Sequence, residues 1–375
     1  MRTRQIFGML FMLPLFLFAQ EQDNLTFHGD FRSRIEQDWK SRKSDGTFRG
    51  DRTRLRYRAR FGLKYKLEGY GTFGLQMRTG LSKKQQDPQL TFGDKSNGQG
   101  PLPLGWDKLY FQTEIWGIST WMGKNAFPFK TQNELFWSNN VNPEGVFFKK
   151  NFKLKDNIIN ALDLRFGYFV IENQNKTLGN NGIMQALQLN ASLFNDRWKL
   201  FPSIYLLKNI GNIPDGSASA LLNYSIAHFG TSFQLIPSKK MELQFDYYTN
   251  LEDYKNIDAI DEDLKEEQNG LVIGLSYGDA KKKGNFLVKL SYAYMEKYAA
   301  VDYLAQNDWA RWDYGSYDSP DGRLTNFEGM ELVLGYAIKE KMVVKMRLFQ
   351  VNELVQQGEY RETGSRVRLG FDIGF

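Results

Sequence analysis

Five arginines stand at every second position between residues 52 and 60: Arg52, Arg54, Arg56, Arg58 and Arg60. A guanidinium stays charged across the physiological range and offers its donors in a planar fork that fits carboxylates and phosphates. A row of them can attract, orient and hold anions. A spacing of two puts all five on one face of an extended strand. The rest of the chain offers little for covalent chemistry. It has no cysteine, so thiolate nucleophiles, thiolate metal sites and disulfides are excluded. His28 and His228 are its two histidines. They are far apart in strand order, and nothing beside either resembles a nucleophile elbow, so hydrolysis has no evident nucleophile–base pair. No enzyme, metal or cofactor is expected. The acidic run Glu252, Asp253, Asp258, Asp261, Glu262 and Asp263 reads as a solvated loop rather than a calcium site.

The elements that must carry the arginines alternate. Leu25, Phe27, Phe31, Ile35 and Trp39 take odd positions, and His28, Asp30, Arg32, Arg34, Glu36 and Asp38 take even ones. Around the arginine row, Leu55, Tyr57, Ala59, Phe61, Leu63 and Tyr65 are again odd. One face is apolar and aromatic, the other charged. A bilayer-spanning barrel supplies oil for the first and a watery lumen for the second. A secreted soluble sandwich that buries the apolar face is the competing reading.

The chain has 375 residues, 42% hydrophobic and 15% aromatic, with a formal charge of +6. Mean hydropathy is −0.50, and no run of about 20 apolar residues follows the N-terminus, which excludes a helical membrane protein but not a barrel. Residues 1–19 read as a secretory signal, with Arg2 and Arg4, an apolar stretch Ile6–Phe18, and Ala19 as the cleavage residue. Residues 20–375 then form one all-β unit, a transmembrane antiparallel barrel. Alternation predicts sixteen strands: Leu25–Trp39, one through Leu67, Tyr70–Leu81, Asp107–Trp116, one to about Asn125, Glu144–Leu154, Asn160–Ile171, Ile183–Phe194, Trp198–Leu207, Asn223–Ile236, Met241–Leu251, Leu271–Gly278, Phe286–Glu296, one to about Lys339, Met342–Leu354, and one closing at Phe375. Odd-to-even connections are mostly long and even-to-odd ones short, the asymmetry of outer-membrane barrels. Trp39, Tyr70, Trp106, Tyr110, Trp116 and Trp198 suit interfacial girdles. A secreted, cysteine-free chain of this pattern points to the outer membrane of a diderm bacterium. The basic residues sit at period-two positions rather than on a patch, so nucleic acid is rejected as a partner.

The final segment, Val367-Arg368-Leu369-Gly370-Phe371-Asp372-Ile373-Gly374-Phe375, ends in an aromatic after alternating apolar positions. With the signal and the alternation, it resembles the Gram-negative general porins. Residues 121–129 (WMGKNAFPF), 132–137 (QNELFW) and 141–145 (VNPEG) are similar to porins common in Bacteroidetes and relatives. The resemblance covers essentially the whole mature chain. It implies an outer-membrane diffusion channel set in lipid. It also implies that Phe371, Ile373 and Phe375 are read by the barrel insertion machinery, and that the chain assembles as a homotrimer whose second loop, Ser82–Trp106, reaches a neighbour. It further implies that the third long connection, Phe127–Asn142, folds into the barrel and sets the constriction. Its candidate residues are Phe127, Phe129, Asn133, Glu134, Phe136 and Trp137. A compact exposed loop packing its own aromatics is the alternative.

When the sheet closes, the last strand must neighbour the first. That gathers Arg32, Arg34, Arg52, Arg54, Arg56, Arg58, Arg60 and Arg78 onto one stretch of wall, extended by Lys345, Arg347, Arg366 and Arg368. Asp30, Glu36, Asp38 and Asp372 are interleaved. A one-sided basic wall opposite Glu134 creates a transverse field that favours anions modestly. The expected function is passive diffusion of small hydrophilic solutes with weak anion preference. A substrate-specific channel for phosphate, oligosaccharide or acidic polysaccharide stays open, as does a plugged structural or adhesion barrel. The ladder itself either selects ions or braces the lumen.

Overall fold

The computed structural model describes residues 24–81, 85–94, 100–152, 154, 158–173, 177–211, 220–309 and 325–375. The expected signal segment and Trp312 lie outside the described residues. Sixteen strands follow in chain order: β1 Leu25–Trp39, β2 Arg52–Leu67, β3 Gly71–Thr79, β4 Leu104–Ile115, β5 Ile118–Lys124, β6 Glu144–Phe152, β7 Ile159–Glu172 and β8 Gly182–Leu193. Then come β9, in two pieces Trp198–Leu200 and Ser203–Gly211, β10 Leu221–Ile236, β11 Met241–Asn250, β12 Asn269–Gly278, β13 Phe286–Met295, β14 Phe327–Lys339, β15 Met342–Glu353 and β16 Thr363–Gly374. Each pairs antiparallel with the next, and β16 pairs with β1, so the sheet closes. Closure satisfies the backbone donors and acceptors within the sheet, which a lipid-facing strand needs.

The short connections gather at one end of the barrel. The Ile115–Ile118 hairpin turns on Trp116 (φ 51°) and Gly117 (φ 70°), a left-handed pair whose twist matches the flanking strands. Trp116 stands 91% exposed there. Alternation puts Phe27, Phe31, Ile35, Leu55, Phe61 and Tyr65 on the outside, all exposed in the isolated barrel. Such a belt suits hydrocarbon rather than water.

Two departures from simple alternation have local causes. β9 breaks at Phe201-Pro202, where proline has no N–H to give the ladder. Phe201 N instead donates to Gly230 O at 2.8 Å, and its ring fills the space a side chain at Gly230 would need. In β4, the register shifts opposite Gln76 and Met77, so Trp106 and Leu109 both face out. Tyr110, between Leu109 and Phe111 in regular register, faces in, buried over Gly74, and is no part of a girdle. That corrects the expectation, while Trp106, Trp116 and Tyr70 stand exposed.

At the seam, Gly29 and Phe375 exchange backbone hydrogen bonds of 3.2 and 3.0 Å. Ile373 pairs with Phe31 and Phe371 with Ser33 on the outer face. The Phe375 ring lies over Gly29, where an added Cβ would come within 2.5 Å of it. The closing aromatic takes the place of the missing side chain.

Candidate pore constriction

Register stacks the inward side chains of β15, β16, β1 and β2 in rows. Arg347 faces Arg368, which faces Glu36, which faces Arg54. Arg366 faces Asp38, which faces Arg52. Gly370 faces Arg34, which faces Arg56, and Asp372 faces Arg32, which faces Arg58. The next row brings Asp30 to Arg60 and Arg60 to Arg78. All twelve basic residues expected on the wall are on these strands or on β3, and the register brings them together. Lys345, beside Gly370, interacts with Asp372 at 3.7 Å.

Like charges directly opposite destabilise a sheet, and each such pair on this wall has a carboxylate. Asp372 takes Arg32, while Asp30 takes Arg58 (2.6 Å) and Arg60 (2.6 Å). Between Arg34 and Arg56 the acid is Asp87, at 3.7 and 2.8 Å, from the second long loop. Between Arg347 and Arg368 it is Asp308, from the seventh long loop, which joins β13 to β14. Glu36 serves Arg34, Arg54, Arg56 and Arg368, and Asp38 serves Arg52 and Arg366. Arg78 pairs with Asp107 at 3.0 Å. Burial pushes the Asp87 carboxyl up, but Arg56 and Arg34 outweigh it and hold it down to about 2. The described part of the second loop thus stays on its own barrel. Leu90 and Thr91 extend the sheet along β2, and the Phe92 ring lies 4.9 Å from that of Tyr57.

The third long loop, residues 125–143, lies inside the barrel. Its aromatics form a wedge. Phe127 stacks on Trp137 at 4.3 Å, Phe136 on Tyr248 at 5.3 Å, and Phe129 meets Phe147, Phe169 and Tyr205 edge-on. Trp137 is 2% exposed, and its indole N–H donates to Val141 O at 2.9 Å. Polar contacts then fix the loop to strands around the wall. Lys130 N donates to Gln188 Oε1 (2.7 Å), Arg165 Nη1 to Pro128 O (2.8 Å), Arg58 Nη1 to Asn140 Oδ1 (2.8 Å) and Lys289 Nζ to Gln132 O (3.3 Å). Gln132 and Asn133 both donate to Asp246 Oδ2, at 3.1 and 2.9 Å. The seventh loop joins the third through Ser138 N to Leu304 O (2.7 Å) and Gln306 N to Glu134 O (2.9 Å). Residues of the third loop, of the sixth (between β11 and β12) and of the seventh share one buried apolar cluster, including Trp137, Ile260, Leu264, Val301 and Trp309. Glu134, held by Asn139 Nδ2 at 2.6 Å, interacts electrostatically with Lys345 and Arg347 of the basic wall.

One constellation was not legible in the sequence. Ser203 on β9, His228 on β10 and Asp246 on β11 are cross-strand neighbours. His228 Nε2 lies 3.0 Å from Asp246 Oδ1, and Ser203 Oγ lies 3.4 Å from His228 Nδ1. The residue types are those of a hydrolytic triad, but the surroundings are not. Ser203 Oγ donates to Phe201 O (3.2 Å) and accepts from Gln188 (2.9 Å). His228 is 4% exposed, stacked on Tyr248 at 4.5 Å and roofed by the third loop. A nucleophile needs an open approach and donors for an oxyanion. This cluster instead anchors Asp246 beneath the loop.

Among the described residues no group of three or more histidine and carboxylate side chains is placed to hold a metal. Sequence reasoning also missed Asp87, Asp308 and Lys130. Loop residues have no periodicity to show where they point. Burial and then Lys199 lower the Lys130 ammonium to about 8, and its Nζ sits 4.4 Å from the centre of the Phe201 ring.

A family model described as "putative porin" matches residues 41–201. No curated protein matches the chain in sequence. Among solved structures, a high-pH form of Pseudomonas putida OprB aligns over 94% of both chains, with a TM-score of 0.58 and 13% identity. Salmonella typhi OmpF, in complex with daunomycin, aligns over 94% of this chain and 98% of its own, with a TM-score of 0.54 and 11% identity. A triple mutant of Rhodopseudomonas blastica porin aligns over 94% and 100%, with a TM-score of 0.52 and 11% identity.

Proposed function

We propose that this chain is an outer-membrane porin that passes small hydrophilic solutes by diffusion and prefers anions weakly. One observation carries the preference. On the wall the acids are fewer than the cations: Glu36 is shared among four arginines, Asp30, Asp38, Asp87, Asp308 and Asp372 between two cations each, and Asp107 and Glu331 take Arg78 and Arg347. Shared acids brace the ladder and still leave it net positive. Lys289 adds a cation whose contacts are the neutral oxygens of Gln132 and Gln244. In a narrow, low-dielectric passage that excess raises the local anion concentration. Glu134, opposite Lys345 and Arg347, supplies the other pole of a transverse field. The third loop is the constriction element in this proposal, and homotrimeric assembly belongs to it.

A sugar-specific channel has less support, because Phe129, Phe136 and Trp137 are buried in packing and offer no open face to a sugar ring. The test is the reversal potential of the purified protein in a planar bilayer under a KCl gradient. The expected sign is that of chloride preference, weakened when Arg54, Arg56 and Arg58 are replaced by glutamine. Selectivity unchanged in that variant removes the ladder as its cause.

A further inference from the structure

Asp308 holds a place that a solute could hold. Arg347 on β15 and Arg368 on β16 are directly opposed cations. They share Phe349 as a platform, with guanidinium carbons 5.0 and 5.8 Å from its ring centre. Both arginines come from the rigid sheet. The carboxylate that bridges them comes from the seventh loop: Arg347 Nη1 donates to Asp308 Oδ2 at 2.7 Å, and Arg368 Nη1 meets Oδ1. Arg366 Nη1 steadies the same loop through the carbonyls of Asp308 (2.6 Å) and Asn307 (3.2 Å). Two forked cations converging on one pair of oxygens is a geometry for tetrahedral or planar oxyanions generally, not for aspartate alone. The comparable seat of Asp87 is closed, since side-chain exposure is 9% for Arg34 and 5% for Arg56. The Asp308 seat is open on one arginine: Arg368 is covered at 4% and Asp308 at 12%, while Arg347 keeps 28% exposure beside Lys345 at 35%.

We propose that Arg347 and Arg368 form an oxyanion-binding site in the lumen, and that Asp308 occupies it until a phosphate-class solute displaces it. The proposal rests on the anion-passing reading above and adds a place where the anion stops. Displacement exchanges one set of ion pairs for another and breaks no covalent bond. It releases the Asp308 side chain and loosens the seventh loop, which keeps its Arg366 contacts through backbone carbonyls and its backbone contacts to the third loop.

The test uses the full-length protein in planar bilayers at fixed KCl, with inorganic phosphate added stepwise. Wild type is expected to show a saturable fall in chloride current. Asp308→Asn removes the built-in competitor and should lower the half-saturating phosphate concentration at least tenfold. Arg347→Gln should raise it by a similar factor. The same half-saturating concentration in Asp308→Asn and wild type, or a fall without saturation, overturns the site. A second measurement needs no variant: saturating phosphate should speed amide exchange of residues 302–309 in wild type, and unchanged exchange also overturns it. The reversal potential in plain KCl separates the two readings. Chloride preference with no phosphate effect rejects only the site, whereas cation preference rejects the anion channel itself.

Discussion

Replacing Asp246 by alanine isolates what holds the third loop in the lumen. The carboxylate is 1% exposed and accepts from Gln132 Nε2, Asn133 Nδ2 and His228 Nε2. Hydrogen bonds to a charged group contribute about 1.5–3 kcal/mol each, so the two from the loop contribute about 3–6 kcal/mol to its docking. Gln132 keeps the carbonyls of Thr231 (3.0 Å) and Phe245 (3.2 Å), which argues for the lower end. Asn133 keeps Tyr248 Oη at 3.5 Å, too long to replace the lost bond. At about 1.4 kcal/mol per tenfold, the opening equilibrium of the loop shifts by about 100-fold. Hydrogen exchange of the 127–142 peptide in detergent micelles reads that shift directly. Strand peptides from β1, β2 and β16 should not change, because the ladder carries them. Exchange of the loop within about threefold of wild type, or equal acceleration in the strands, would refute the anchor.

Two further expectations follow from named contacts. Lys130 has its ammonium lowered to about 8, by burial first and Lys199 second, so the loop cation is present at pH 7 and lost as pH rises through 8; chloride preference should fall between pH 7 and 9, and Lys130→Gln should show the reduced value at both. Gly29→Leu puts a side chain where the Phe375 ring lies, and Phe375→Ala removes that ring; both should lower the yield of heat-modifiable folded barrel, the glycine variant more because its Cβ also meets Arg60 O, and a wild-type yield for Gly29→Leu would reject the ring's role in closure.

The strand order and the basic wall were readable because lipid and water impose a period of two on every residue between Leu25 and Trp39 and between Arg52 and Tyr65. Closure then required Arg366 and Arg368 to meet Glu36 and Asp38, with no loop consulted. Tyr110 was misread because it was judged by residue type, although alternation with Leu109 and Phe111 already turns it inward; the register shift in β4 changes the face of Trp106 instead. Asp87 and Asp308 were invisible for a different reason. Their positions follow from the charge they neutralise across the lumen, not from neighbours in the chain. The Ser203–His228–Asp246 cluster needs the registers of three strands at once, separated by 25 and 18 positions.

The seam between β1 and β16 has a kinetic meaning. Arg32 and Asp372 are 340 positions apart and still belong to neighbouring strands. Hairpins such as β4–β5 close within a few residues and can form early, whereas the seam is the longest-range pairing in the sheet and slow to find. Until it forms, β1 presents an open ladder with an apolar face, the state in which a strand recruits the wrong partner. Along that edge Arg32, Glu36 and Asp38 meet Asp372, Arg368 and Arg366, a charge complement that an arbitrary apolar strand lacks, and so select β16 among the edges β1 could meet.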